Sequence, residues 1–183
     1  RPPSANPGPL PASLGRIVLG VRALCGLGAL SLLAVPLWFW ASPEAIESLA
    51  PSMVGVKEMS IDARAQWLGG ALSLLPVSLG LYALWQLWRL FTEYAAGRVF
   101  GRAALAHLRR FAWALLGTAL LAPLVRAATS VALTLGNPPG RRMLVVGFSW
   151  NDYMAVLLAA VLIAIATVMA EAVRVAEENE SFV

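Results

Sequence analysis

Apolar residues run almost unbroken through four stretches of the chain, 17–40, 67–91, 111–135 and 153–173, with polar or Pro/Gly-rich breaks between them. About 20 mostly apolar residues in helical form cross a bilayer, so each stretch is long enough to span. Strands of a membrane barrel would alternate apolar and polar positions over about ten residues, and these runs are continuously apolar. The pattern predicts an all-α membrane protein, a four-transmembrane-helix bundle filling 17–183 as a single domain. Ahead of it, residues 1–16 are proline-rich without an apolar period, which predicts a disordered tail. The first run is too long for the apolar core of a signal peptide and is kept as a spanning helix.

The breaks carry patterns of their own. The one between the first two runs is long and contains SMVGV (52–56). The one before the fourth contains MLVVGFSW (143–150) after the turn signal GNPPG. Both are short β-prone runs on the same side of the membrane, and their pairing would form a small β cap over the bundle. The alternative for each is an irregular loop. Within the fourth run, Ala155, Ala159, Ala166 and Ala170 form one stripe and Ala160, Ala164 and Thr167 another. Small residues let helices approach closely in lipid, so this helix is expected to pack on two neighbours.

Tryptophan gathers at membrane-water interfaces, where an apolar ring keeps its N–H in the headgroup layer. Trp38 and Trp40 close the first run, Trp67 opens the second, and Trp85 and Trp88 close it. Trp113 opens the third and Trp150 precedes the fourth.

Composition supports the same class: 59% of residues are hydrophobic and only 13% charged, against about 45–50% apolar in soluble domains. The few charges give an orientation. With the N-terminus inside, inner segments hold Arg1, Arg16, Arg22, Arg89, Arg98, Arg102, Arg109, Arg110 and Arg174. Outer ones hold Lys57, Arg64, Arg141 and Arg142 beside Glu44, Glu47, Glu58 and Asp62. Lys and Arg are retained in the cytoplasm, so both termini are expected there, in a cell inner membrane. The basic stretch GRVFGRAALAHLRRF (97–111) then acts mainly as a topological signal. Lying flush with the membrane, it presents no surface to a nucleic-acid duplex, and it lacks a phosphate-binding fingerprint. Its attraction to anionic lipids is a secondary effect.

Candidate chemistry is sparse. Cys25 is the single cysteine, which excludes an intrachain disulfide. His107, the single histidine, is read as part of the inner basic loop, without the companions of a zinc or haem site. No metal, cofactor or catalytic residue is expected, and membrane lipids are the expected partners. Arg126 stands out, because an arginine at depth in a span is costly unless it reaches the surface or finds partners. It either lines a polar cavity, or rises to the headgroups or to an outer carboxylate such as Asp62 or Glu58. Arg22 is expected to snorkel to the inner surface. The acidic run Glu177–Glu178–Asn179–Glu180 emerges on the side of Arg98, Arg102, Arg109 and Arg110. A cytoplasmic surface shared by the Phe100 turn and the C-terminal tail, with Phe182 and Val183, is one expectation.

The stretch EYAAGRVFGRAALAHLRRFAWALL, with Gly97, Phe100, Leu108 and Arg109, resembles the central hairpin of a family of uncharacterised bacterial four-helix membrane proteins. The ending AVLLAAVLIAIATVMAEAVRVAEENESFV, with Glu177, Glu178, Asn179 and Val183, resembles that family's closing helix and acidic tail. The resemblance implies a four-helix inner-membrane protein and no reaction. With no convergence of nucleophiles, bases or ligands, the expected role is non-enzymatic, exerted through a membrane-protein partner or homo-oligomer, or as a sensor. The alternative is a small transporter or lipid-binding protein using Arg126 in a polar cavity. Candidate functional residues are Arg126, Gly97, Arg98, Phe100, Arg109, Glu177 and Glu178.

Overall fold

The computed structural model describes residues 12–54, 62–99, 101–138 and 141–180, with side chains left undescribed at 12–14, 53, 54, 176, 177, 179 and 180. These residues form five helices: α1 (Ala12–Ala41), α2 (Pro43–Val54), α3 (Ala63–Ala95), α4 (Arg102–Thr134) and α5 (Trp150–Glu180). All but α2 are long and apolar enough to cross a membrane. α1 begins inside the segment read as a tail, and residues 1–11 lie outside the described residues.

Local signals set the boundaries. Asp62 caps α3, its Oδ1 accepting from the Ala65 N–H at 2.8 Å. Proline at the first helical position and an acidic first turn start α2, at Pro43 and Glu44. Its apolar face of Ala45, Ile46 and Ala50 is buried while Glu44, Glu47 and Leu49 stay exposed. Pro36, Pro76 and Pro123 lie inside α1, α3 and α4, which continue through them, as membrane helices tolerate.

α1 packs on α3, α3 on α4 and α4 on α5. Among the described residues α1 meets neither α4 nor α5, and α3 does not meet α5. The bundle is thus an open row in the order α1, α3, α4, α5. α2 lies across one end, touching α1 and α4, where Ile46, Ala50, Ala65 and Leu133 form a buried cluster flanked by Phe39 and Trp40.

Close contacts need small residues. A Cβ on Gly69 would sit 1.9 Å from the Trp40 ring, so the absent side chain admits the indole between α1 and α3. There its N–H donates to Ser73 Oγ at 2.8 Å. The other tryptophans are exposed, as interfacial rings would be.

Several expectations change. Among the described residues there is no strand and therefore no β cap. Ser52, Met53 and Val54 belong to α2, and the second β-prone run is extended but pairs with helix side chains. His107 is not on a loop: it is buried in α4, its Nδ1–H donating to Gln86 Oε1 of α3 at 2.7 Å. Arg22 reaches the end of α3 that the sequence places at the inner surface. Its Nη2 donates to Thr92 Oγ1 at 3.0 Å and its guanidinium lies over the Trp88 ring at 5.4 Å.

Candidate functional site

On α4, Arg126, Ser130 and Thr134 recur every four residues and so share one face of the helix. The segment before α5 doubles back along that face. Thr134 Oγ1 accepts from the Met143 N–H at 3.2 Å, Ser130 Oγ accepts from the Val145 N–H at 2.9 Å, and Arg126 Nη2 donates to the Gly147 carbonyl at 3.2 Å.

The register is a length match. Four residues of helix rise about 6 Å and two residues of extended chain span about 6.6 Å, so alternate residues of the segment meet successive turns of α4. The residues between them, Leu144, Val146 and Phe148, face away and are exposed. The helix stripe replaces a neighbouring strand as hydrogen-bond partner, which explains why a β-prone alternation contains no sheet. Ser130 and Thr134 are fully buried, and they give backbone groups partners where water is scarce.

The ladder ends at the start of α5. Ser149 and Asp152 form a reciprocal cap: the Asp152 N–H donates to Ser149 Oγ at 3.2 Å, and the Ser149 N–H and Oγ–H donate to Asp152 Oδ2 at 2.7 and 2.8 Å. Arg126 closes on the same carboxylate. Nη1 donates to Oδ1 at 3.2 Å, and Nη2 pairs with Oδ2. The Asp152 side chain is 4% exposed and that of Arg126 31%. The partly exposed guanidinium therefore balances a buried carboxylate, which also caps a helix whose N-terminal dipole favours negative charge.

Sequence reasoning singled out Arg126 but missed Asp152, Ser130 and Thr134. The outer-loop carboxylate named as a partner, Asp62, caps α3, and Glu58 lies outside the described residues. The missed signals were the capping pattern Ser149-x-x-Asp152 ahead of an apolar run and the four-residue spacing of polar side chains on α4.

At the opposite end, Gly97 takes φ 76°, the left-handed conformation glycine permits. The Gly97 N–H donates to the Tyr94 carbonyl and the Arg98 N–H to the Glu93 carbonyl, both at 3.0 Å. This is a Schellman termination of α3. Arg98 Nε also donates to Glu93 Oε2 at 2.7 Å, which raises the pKa of the guanidinium above its usual value. Gly101, with φ −72°, starts α4. Arg109 faces a cleft between α4 and α5. Arg174 pairs with Glu171 and Glu178 on its own helix. Phe100, Phe182 and Val183 lie outside the described residues, as does the Glu177 side chain. Among the described residues no three His, Cys, Asp or Glu side chains converge.

Four apolar helices with polar locks at their ends define a multi-pass α-helical membrane protein. The family model described as protein of unknown function (DUF2975) matches residues 55–183, and the chain belongs to that family. The match takes in α3, α4 and α5. No curated protein and no solved structure matches the chain.

Proposed function

We propose that the protein is non-enzymatic and works by lateral association of α1 with a helix of another membrane protein, in a bacterial inner membrane with both termini cytoplasmic. The observation that carries this reading is the open row: α1 is an edge helix packed on α3 alone among the spanning helices. Its uncovered side includes Gly20 and Gly26, where an added Cβ would meet nothing within 4 Å, whereas Gly28 faces Leu84 of α3. Small residues at uncovered positions allow close backbone approach by another helix. Arg126, on which a transport role would rest, already engages Asp152 and Gly147. The arginine imbalance supports the orientation.

Photo-crosslinking from exposed Leu27 and Leu30 of α1, with Leu158 and Val168 of α5 as comparison positions, tests the reading. Discrete protein adducts from α1 alone are expected, and their mass distinguishes another protein from a second copy of this chain. A second copy, or adducts to lipid only at every position, would overturn it.

A further inference from the structure

At the end of the row opposite α2, α4 and α5 flank a cleft of about 360 Å³. On α4 it is lined by Arg102, Leu105, Ala106 and Arg109, one stripe at helical spacing. On α5 the facing stripe is Ala166, Ala170, Val173 and Arg174. The helices run antiparallel, which puts Arg102 and Arg174 at the mouth and Arg109 beside Ala166 at the deeper end. The alanines leave the room that the cleft occupies.

We infer that this cleft binds the phosphate headgroup of an anionic phospholipid, with the acyl chains descending along the apolar groove between α4 and α5. Three arginines line one apolar-floored opening between membrane helices. Arg102 and Arg109 lie seven residues apart, about 10 Å along α4, so the basic groups bracket the depth at which a lipid changes from headgroup to chain. Arginine suits phosphate because its planar donors can bind two oxygens at once. Glu171 and Glu178 lie on the α5 side and bind Arg174, drawing off part of its charge. Arg109 has neither hydrogen bond nor ion pair among the described residues, so its charge is available to a ligand. An arginine below the mouth, with alanines across from it, leaves a volume that a solvated free ion would fill poorly and a tethered headgroup fills with its glycerol. This site is independent of the α1 association proposed above.

The test uses the full-length protein in detergent, with retained lipid counted by native mass spectrometry and binding read as a thermal shift. Phosphatidylglycerol should be retained at concentrations where phosphatidylcholine is not. Arg109→Gln combined with Arg174→Gln should weaken retention about thirtyfold, while Arg110→Gln, on the same helix but outside the cleft lining, should leave it intact. Ala170→Leu, which narrows the floor and removes no charge, should also weaken retention, so the test survives if the double variant fails to fold. Equal retention of phosphatidylcholine, an equal loss in Arg110→Gln, or unchanged binding by Ala170→Leu would overturn the site. Competition by inorganic phosphate as strong as by phosphatidylglycerol would overturn its assignment to a lipid.

Discussion

Replacing Arg126 by methionine removes the guanidinium but keeps the length and apolar stem of the side chain. Asp152, 4% exposed, then loses its counter-charge and keeps only the donors of Ser149. Breaking a fully buried pair costs about 3–5 kcal/mol. Because Arg126 is 31% exposed, solvent screens part of the interaction, and about 2–3 kcal/mol is expected.

The reverse substitution is gentler. Asp152→Asn still accepts from the Ser149 N–H, and Arg126 can turn its free donors to the headgroup layer, so about 1 kcal/mol is expected. In Arg126→Met/Asp152→Asn no unpaired charge remains, and the loss should fall at least about 1 kcal/mol short of the sum of the single losses. Unfolding in mixed micelles measures these values. Trypsin gives an independent readout, since exposed Arg141 and Arg142 begin the segment that Arg126 holds through Gly147. Cleavage there should accelerate in Arg126→Met. A variant as stable and as slowly cut as wild type, or single effects that simply add, would refute the reasoning.

Gly69→Ala drives a methyl into the Trp40 ring and should cost about 1–3 kcal/mol as overpacking. Trp40→Leu in the same chain should recover part of that in unfolding measurements. Gln86→Leu leaves the buried Nδ1–H of His107 without its acceptor at about 1–3 kcal/mol, and Gln86→Leu/His107→Leu should be more stable than Gln86→Leu alone. For topology, in a Cys25→Ala background an impermeant thiol reagent added outside the cell should label Ser52→Cys and spare Ala103→Cys. Labelling of Ala103→Cys reverses the orientation.

The spans were legible because a bilayer sets a length and an apolarity that few other folds share. Helix ends were less so. α4 starts at Arg102, nine residues before the apolar run at Phe111, since hydropathy registers lipid contact while the helix continues through basic residues. α2 was missed although Ser42, Pro43 and Glu44 carry a start signal, because its twelve residues lie in a stretch read as a loop. The row order was not legible at all. Lipid tails are as apolar as leucine, so a face turned to lipid and a face turned to a neighbouring helix have the same composition.

Arg126 shows how far the site extends beyond what hydropathy records. Hydropathy set the third span at 111–135 and so placed Arg126 well inside it, where its cost called for a special explanation. The contact with Asp152 brings Arg126 level with the first turn of α5, next to Trp150, an exposed ring suited to the interface. The last two turns of α4 therefore project past the start of α5, and residues 141–149 have to run back along them to reach it. That return path is why Ser130 and Thr134 are buried, and why their partners are backbone groups of an extended chain. With α2 packed on Leu133, these turns form a cap made of helix and extended segment in place of the β pairing expected from sequence. Arg126 is then the base of that cap, and its pairing with Asp152 fixes where the return segment ends and α5 begins.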